Sequence, residues 1–378
     1  MRISAGLWMQ CNPAGDDEEV GPESENSPSL PEELPWVTVI IPCREEERHI
    51  GRTLAAVLAN DYPRERLEVL VVDGMSADGT RKVIEEFTRA HGFIRLLDNP
   101  KKITAAALNL GISQARGEVI LRVDSHSAIP PNYISTLVDW QRRTGADNVG
   151  GVCINLPGSE TAMARAIALA QSHPFGIGDA YFRLGTRIPR WVDTVPFGCF
   201  RREVFARVGL FDEDHVRTED DEFNLRLKKH GGHLLLVPDL KVHYYTRETL
   251  SKIGRMYYQY GYFKALVARK LGAVLKLRHL VPSLFLICLL ALGLMGLARS
   301  GRAPLGLGVL GVYVFVNLLC AAQAAWQAGA GWTVAASLTL VFPTLHFSYG
   351  FGFLRGVWDF FILGKKGVPD PGGVPLTR

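Results

Sequence analysis

Two segments of the sequence carry the side chains best suited to chemistry. Asp124 and His126 directly follow an apolar run, so that an oxygen donor and a nitrogen donor leave the chain on the same side. Such a pair can hold a divalent cation or the hydroxyls of a nucleotide. Much further along, Thr218–Glu222 places four consecutive acids at the start of a predicted helix. The sequence therefore predicts two acidic sites on elements that are distant in the chain.

The region before Asp124 predicts the elements that position it. Apolar β-branched runs indicate buried strands, and stretches with helical periodicity indicate helices between them. The predicted strands are Val37–Ile41, Leu67–Val72, Ile94–Leu97 and Glu118–Val123, and the predicted helices are Glu45–Asn60, Thr80–His91 and Thr104–Ala115. This alternation predicts an α/β fold with a mostly parallel sheet. Ligands of such sheets bind beyond the carboxyl ends of the strands, where Pro42, Asp73 and Asp124 all fall.

Charge and cysteine content exclude some classes of function. The net charge is +4, but the first 35 residues contain eight acids and one arginine, so the remainder is distinctly basic. A basic body beside apolar segments is typical of a protein that lies against an anionic membrane and handles anionic substrates. No basic stripe is interleaved with stacking aromatics, so nucleic acid is not an expected partner. The six cysteines form no CxxC pair and are expected to be reduced thiols.

The last third of the sequence predicts membrane association. Two nearly uncharged runs, Leu280–Ala298 and Pro304–Ala325, are long enough to cross a bilayer. Trp332–Leu354 is a third candidate that could instead be re-entrant or interfacial, because glycines and polar residues dilute it. Before them, Glu248–Lys270 mixes tyrosines with cations, which predicts a helix in the headgroup layer or, alternatively, a solvated helix packed on the domain.

Four short segments, in their order and spacing, resemble the family-2 inverting glycosyltransferases. They are Val39–Glu47, Val71–Thr80, Arg122–His126 and Thr218–Glu222. The resemblance covers residues 36–245 and implies a nucleotide-sugar-binding, GT-A-like fold. Together with Asn109–Ile112 and Phe197–Phe205, these segments look most similar to the succinoglycan-synthesis type of exopolysaccharide glucosyltransferase.

The resemblance implies a donor side built from Pro42, Glu45, Asp73 and Asp124. Asp73 would accept a hydrogen bond from the uracil ring, because a carboxylate is acceptor-only and suits an imide N–H. Pro42 and either Glu45 or Glu46 would border the base and ribose. Asp124 and His126 match the first and third positions of the family's Asp-x-Asp motif and would hold a divalent cation on the diphosphate. Since histidine replaces the usual acid, Mn²⁺ is expected to serve at least as well as Mg²⁺.

The resemblance also implies an acceptor side. Asp220 matches the family's catalytic base, which removes the proton of the attacking hydroxyl. Glu219, Phe197 and Arg201 would line the acceptor. Asp221 could replace Asp220 as the base if the helix register is shifted.

Plainer roles remain open for several of these side chains. Glu45–Glu47 could simply occupy the first turn of a helix, where the dipole favours acids. Asp78 could cap the following helix. His126 could be a structural histidine, and Thr218–Glu222 could be an ordinary acidic helix start.

The combined prediction is a membrane-anchored, inverting transferase that moves a sugar, preferably glucose, from a UDP-sugar to a polyprenyl-diphosphate-linked saccharide. The β-glycosidic product would come from a single transfer, because Gln259–Phe263 lacks the Arg and Trp of the Gln-x-x-Arg-Trp segment that processive members carry. The alternatives are a membrane-anchored nucleotidyltransferase and a nucleotide-sensing membrane scaffold. The first would need a glycine-rich phosphate loop after the opening strand.

The predicted organisation is that of a multi-pass protein of the cell's inner membrane. Its parts are a disordered acidic tail (1–35), a cytoplasmic glycosyltransferase domain (36–247), an amphipathic interfacial segment (248–279), a transmembrane region (280–356) and a C-terminal tail (357–378). Cations ahead of the first apolar run predict the cytoplasmic side for the large domain. Two or three spans remain open, because three would leave Lys365 and Lys366 outside.

Overall fold

The computed structural model describes residues 33–215, 217–272, 276–298 and 303–365. The predicted disordered tail lies outside the described residues up to residue 32, and the predicted C-terminal tail lies outside them beyond residue 365. Within the described part, one compact unit comprises residues 33–154 and 181–244. A second comprises residues 155–180 and 245–365.

An eight-stranded sheet carries the fold. Its strands are β1 (Val37–Cys43), β2 (Leu67–Asp73), β3 (Ile94–Asp98), β4 (Val119–Arg122), β5 (Asn148–Leu156), β6 (Arg190–Trp191), β7 (Cys199–Arg201) and β8 (Leu234–Tyr245). They lie in the order β3-β2-β1-β4-β7-β5-β8-β6. The pairs β1–β2, β1–β4 and β2–β3 are parallel, whereas β7 runs antiparallel to β4 and β5, and β6 to β8. The half of the sheet that the sequence predicts is therefore parallel, and the other half contains antiparallel pairs.

Helices cover the sheet and form the C-terminal part of the chain. In chain order they are α1 (Ile50–Leu58), α2 (Thr80–Ala90), α3 (Thr104–Gln114), α4 (Tyr133–Thr144), α5 (Ala162–Ala170), α6 (Pro174–Ile177), α7 (Tyr181–Leu184), α8 (Arg202–Val208), α9 (Glu219–Lys229), α10 (Leu250–Leu271), α11 (Leu277–Ala298), α12 (Ala303–Gln327) and α13 (Trp332–Val357). A π-helical turn, Trp358–Ile362, continues α13.

Apolar side chains fill both faces of the parallel strands. Alternate residues of β1 point to opposite faces, so that Val39 joins the core with Leu54 of α1, while Ile40 joins the core with Leu108 of α3. Every residue of β2 is buried. This burial on two faces explains the continuous apolar runs of the sequence and holds the strand ends in place.

Helix α1 begins at Ile50, so the predicted start at Glu45 is wrong. Glu45 adopts a left-handed backbone conformation, with φ 55°, which an α-helix does not contain. The backbone N–H of Glu45 donates to the Ser76 hydroxyl over 2.8 Å, and that of Glu46 donates to the Thr80 hydroxyl over 2.8 Å. Tertiary hydrogen bonds therefore override the local helical pattern.

The second unit is organised around α13. Helices α10 and α13 touch through glycines: a Cβ on Gly261 would overlap the carbonyl oxygen of Tyr349, and one on Gly352 would overlap that of Tyr258. Helix α5 joins the same apolar cluster through residues such as Ile167. Helix α10, in the predicted interfacial segment, is thus packed along α13.

Three segments are long and apolar enough to cross a membrane. They are Leu277–Gly296, Leu305–Gln327 and Trp332–Ile362. Only 11% of the most apolar window is buried in each of the first two, compared with 33% in the third. The third differs because α5 and α10 pack against it.

Candidate active site

The carboxyl ends of β1, β2 and β4 meet at one edge of the sheet. In the parallel register Cys43 pairs with Asp73, and Ile40 pairs with Arg122. Pro42 therefore lies between the end of β2 and the loop that follows β4. The loops after these strands carry the polar side chains that the sequence singles out.

Asp73 is fully buried, and its carboxylate is held on both oxygens. Oδ1 accepts a hydrogen bond from the Ser76 hydroxyl over 2.5 Å, and Oδ2 accepts from the Ser76 backbone N–H over 3.0 Å. Arg81 Nη1 also donates to Oδ2 over 2.9 Å and to Asp98, at the end of β3, over 2.8 Å. Asp73 thus organises the loop after β2, and a uracil N–H would have to share an oxygen with these donors.

The loops after β1 and β2 hold each other. Glu45 Oε1 accepts from the backbone N–H of Ala77 over 3.0 Å, and Glu47 Oε2 accepts from that of Gly79 over 3.2 Å. In return, the Ser76 hydroxyl accepts from the Glu45 N–H. Both glutamates precede α1, so they do not occupy the first turn of that helix.

Asp78 and His126 lie at the rim of the same edge. Asp78 Oδ1 accepts from the backbone N–H of Thr80 over 3.0 Å and from its hydroxyl over 2.5 Å. Since the N-cap of α2 is Gly79, Asp78 does not cap the helix but braces the turn before it. His126 Nδ1 lies 3.2 Å from Glu46 Oε1. Its ring meets Tyr244 edge-on, with 6.4 Å between the centroids.

A buried arginine links the two acidic segments. Arg122 Nε donates to Asp124 Oδ1 over 2.8 Å. Arg122 Nη1 lies 3.0 Å from Glu219 Oε1, in an ion pair whose N–H is not directed at the oxygen. Arg122 and Glu219 are 8% and 7% exposed. One guanidinium therefore contacts both Asp124 and the first acid of α9.

The pKa values of these acids shift in opposite directions. Burial would raise the pKa of Asp124, but the charges of Arg122 and His126 outweigh it and the pKa is lowered. Burial raises the pKa of Glu219 and that of Asp220, although Arg122 opposes the change in both. Asp124 is thus kept ionised, while the acids of α9 accept a proton more readily than free carboxylates. Carboxylates with divergent pKa values are suited to different chemical roles.

Asp220 is half-buried at the first turn of α9, so it can meet a ligand. Its Oδ1 accepts from the backbone N–H of Asp221 over 2.9 Å. The neighbouring Asp221 also raises the pKa of Asp220.

The described non-glycine residues with positive φ lie on loops around this edge. They are Glu45, Met75, Lys102, Phe197 and Thr218, with φ between 55° and 62°. The first three follow β1, β2 and β3, while Phe197 precedes β7 and Thr218 precedes α9. Such conformations cost about 1–3 kcal/mol each and cluster at functional sites. Sequence reasoning misses this strain, because no glycine marks these positions.

The structure brings Phe197 to this edge but does not bring Arg201 there. Phe197 lies two residues before β7 and is buried in the core. Because β7 runs antiparallel to β4, Arg201 pairs with Val119, at the opposite end of β4 from Asp124. Arg201 Nη1 instead lies 3.5 Å from Glu203. The expectation that Arg201 lines the acceptor side is corrected by this register.

Asp124 and His126 fit a cation that is shared with phosphates. The Asp124 side chain offers an ionised carboxylate that is 22% exposed, and the His126 side chain an imidazole that is 42% exposed. Within the described ranges, no group of three or more His, Cys, Asp or Glu side chains forms a cage for a metal. Mg²⁺ and similar ions are usually held by one or two carboxylates together with substrate phosphates. Asp124 offers one such carboxylate, whereas the His126 imidazole is a ligand suited to Mn²⁺ more than to Mg²⁺.

The sequence of the chain is similar to those of known glycosyltransferases. The family model described as Glycosyl transferase family 2 matches residues 38–209. The chain is 28% identical over 325 residues to the succinoglycan biosynthesis protein ExoA of Rhizobium meliloti. This alignment covers 85% of this chain and 95% of that protein. The chain is 29% identical over 270 residues to the dolichyl N-acetyl-alpha-D-glucosaminyl phosphate 3-beta-D-2,3-diacetamido-2,3-dideoxy-beta-D-glucuronosyltransferase of Methanococcus voltae, covering 69% and 82%.

A solved structure shows the same fold. The mannosyltransferase PcManGT of Pyrobaculum calidifontis, in complex with GDP-Man and Mn²⁺, matches with a TM-score of 0.54 and 20% sequence identity. The match covers 87% of this chain and 88% of that one. At this identity the similarity establishes the fold alone, which is the GT-A-like arrangement that the sequence predicts.

Proposed function

We propose that this chain is a family-2 glycosyltransferase that transfers one sugar from a UDP-sugar to a saccharide carried on polyprenyl diphosphate. The observation that carries the proposal is the convergence of Asp124 and the acids of α9 on Arg122. An inverting transfer needs a donor site and a base that face one reacting carbon from two sides. Glucose is the proposed sugar, because the motifs resemble those of exopolysaccharide glucosyltransferases.

On the donor side, Pro42, Glu45 and Asp73 would border the nucleoside. Pro42 and Asp73 come from adjacent strands, and the Glu45 carboxylate is tied to the loop after β2. A wall of acceptor oxygens suits the imide N–H of uracil. Asp124, after β4, would lie beside the diphosphate.

A divalent cation, Mn²⁺ or Mg²⁺, would be held by Asp124 and His126, and when bound it would neutralise the charge of the departing UDP. The lowered pKa of Asp124 keeps its carboxylate ionised for this purpose. Three acids, Asp124, Glu219 and Asp220, act on the charge of Arg122, and this local excess of acids favours a positive ligand. The Mn²⁺ in the PcManGT complex supports this part of the proposal.

Asp220 would act as the base. The acceptor hydroxyl attacks the anomeric carbon, the bond to UDP breaks, and the hydroxyl proton moves to the Asp220 carboxylate. The raised pKa of Asp220 makes it a better proton acceptor than an exposed aspartate. Attack from the face opposite UDP converts an α-linked donor into a β-glycoside. Glu219 and Phe197 would lie on this acceptor side.

The apolar helices would keep the active site beside a lipid-linked acceptor. Three segments can cross a membrane by length and composition, and the Methanococcus voltae relative carries a dolichyl-linked acceptor in its name. We place the catalytic domain, residues 36–247, on the cytoplasmic side of the inner membrane, because cations precede the first apolar run.

The segment Gln259–Phe263 supports a single transfer over polymerisation. Gln259 and Tyr262 are each 1% exposed. The Tyr262 hydroxyl donates to Asp359 Oδ2 over 3.0 Å. These side chains are used for packing between helices, and the segment lacks the Arg and Trp of processive members.

The experiment that tests the proposal is UDP release by membranes that contain the chain, measured over a panel of nucleotide sugars. We expect release from one UDP-sugar in the presence of a polyprenyl-diphosphate acceptor, loss of release with EDTA, and recovery with Mn²⁺. A nucleotidyltransferase would release inorganic diphosphate from a nucleoside triphosphate, and a scaffold would release neither product. Equal transfer to soluble acceptors by detergent-purified protein would contradict the lipid-linked acceptor.

A further inference from the structure

One buried side chain touches both halves of the proposed site. Strand β4 ends at Arg122, and α9 begins at Glu219, far along the chain. We infer that Arg122 is a positioning residue that holds the Asp124 carboxylate at a set distance from the first turn of α9. The inference rests on the proposed function, because Asp124 and Asp220 matter to each other only if one reaction uses both.

The geometry of the guanidinium suits this role. Arg122 Nε lies 2.8 Å from Asp124, and Nη1 lies 3.0 Å from Glu219. The two nitrogens belong to one rigid plane, so both contacts together limit how far the carboxylates can move apart. A lysine carries its charge on a single nitrogen and cannot present this fork.

The surroundings of Arg122 confine it to these partners. Its side chain is 10% exposed. A small cavity beside it is lined by apolar side chains, among them Ile40, Leu108 and Phe211. Apolar cavities stay dry, so water on that side would not replace a missing carboxylate or a missing guanidinium.

Charge adds a second reason. Arg122 is the cation that acts on Asp124, Glu219 and Asp220 together. Without it these acids would repel one another in a poorly solvated place, and the start of α9 would move away from β4. Breaking a buried ion pair by removing one partner leaves such an uncompensated charge.

Arg226 provides a matched control on the same helix. Its Nε and Nη2 lie 2.8 Å and 2.9 Å from the two oxygens of Glu222, and Nη2 also donates to the Leu210 carbonyl over 2.7 Å. The side chains of this pair are 16% and 3% exposed. The pair is about as well buried as that of Arg122, but both of its partners lie on α9. Arg226 links α9 to the chain that follows α8 through the Leu210 carbonyl, and neither Arg226 nor Glu222 has a part in the proposed reaction.

The experiment compares R122K, E219Q and the double variant R122K/E219Q with R226K, by UDP release and by thermal unfolding of the full chain. We expect R122K to lower kcat about 100-fold, because small misplacements of reacting groups cost this much. E219Q removes the charge of Glu219 from the same contact with Arg122. It therefore tests the contact even if R122K folds poorly. The double variant should be no slower than R122K alone, since both changes remove one contact. R226K should lower Tm while kcat stays within about twofold of wild type.

Two results would overturn the inference. One is a kcat for R122K that equals the kcat for R226K. The other is a loss of kcat in R122K/E219Q that equals the product of the losses in the two single variants. Thermal unfolding keeps the test independent of turnover, because the Tm losses of R122K and E219Q should also be non-additive. If the wild-type protein releases no UDP but the Tm losses of R122K and E219Q are non-additive, the proposed function is contradicted and the link between Arg122 and Glu219 is not. Additive Tm losses would contradict the link itself.

Discussion

The sheet and the C-terminal helices are both rich in apolar residues, but the protein buries these residues to very different extents in the two regions. In β2 every side chain is buried by protein. In Leu277–Gly296 and Leu305–Gln327, only 11% of the most apolar window is buried. Apolar surface on that scale belongs in lipid. The comparison shows that similar residues build a protein core in one region and, in the other, exposed helices long and apolar enough to cross a membrane.

The two regions also achieve close contact by different means. At the strand ends, the buried ion pair Arg122–Glu219 joins distant parts of the chain. Between α10 and α13, missing side chains at Gly261 and Gly352 let two backbones touch. Changes at the strand ends should therefore alter chemistry, and changes between these helices should alter assembly.

The largest effect should come from Asp220→Asn in the sheet region. Loss of the base should lower kcat about a thousandfold, while UDP affinity and Tm remain close to wild type because Asn has the same shape. Steady-state UDP release and calorimetric UDP binding measure the two quantities. Asp221→Asn is the matched control and should keep most of the activity. Comparable loss in the two variants would place the base elsewhere on α9.

The glycine contact between helices should give the next largest effect. Gly352→Ala places a Cβ against the Tyr258 carbonyl oxygen and should reduce stability by about 2–3 kcal/mol. Gly311→Ala, in α12, meets nothing within 4 Å and should stay within about 0.5 kcal/mol of wild type. Thermal unfolding in detergent measures both, and UDP binding by the folded fraction should be unchanged. Equal destabilisation by both substitutions would show that α10 and α13 do not touch closely.

The decrease of kcat at low pH tests the chemistry proposed for the sheet region. Burial raises the pKa of Asp220 above its ordinary value of 3.8, so the base becomes protonated, and inactive, at a higher pH than an exposed aspartate. We expect kcat to fall as the pH falls, by tenfold per unit below that raised pKa. The check is a kcat profile at constant Mn²⁺, with Tm followed in parallel. Full activity down to pH 4 in folded protein would rule out a raised pKa in the base.

The smallest effect is expected for Ser76→Ala. Its hydroxyl donates to Asp73 and accepts from the Glu45 N–H, so its loss should cost about 1 kcal/mol of stability and raise the KM for the UDP-sugar. Ser113→Ala, whose hydroxyl bonds only its own helix at Leu110, is the control. Denaturant unfolding and donor titration measure the change, and indistinguishable variants would show that the Ser76 bridge does not shape the donor side.

Local patterns in the sequence predict the parallel half of the sheet because the necessary information lies within each strand. β1, β2 and β4 are short apolar runs, and their ends are marked by polar residues such as Asp73 and Asp124. β7 has only three residues and pairs antiparallel with β4 and β5. It is too short for an alternation of apolar and polar residues to predict it. Arg201 is misplaced for this reason, since its position depends on a register between remote segments.

The start of α1 and the role of Arg122 show two further limits. The helical pattern from Glu45 is real, but the backbone N–H groups of Glu45 and Glu46 instead donate hydrogen bonds to the Ser76 and Thr80 hydroxyls. Arg122 carries a signal in the sequence, because a cation in an otherwise apolar strand must find a buried partner. What the sequence lacks is the identity of Glu219 as that partner, which only the folded chain brings near.

The reciprocal hydrogen bonds between the loops after β1 and β2 have a thermodynamic consequence for donor binding. Glu45 and Glu47 each accept from the opposite loop, and Ser76 returns a bond to Glu45. The loops after β1 and β2, which form the wall that we propose for the nucleoside, are therefore ordered before a donor binds. A preorganised wall avoids the entropy loss of ordering a loop on binding. Discrimination between bases should then follow the fixed shape of this wall, with little contribution from closure around the ligand.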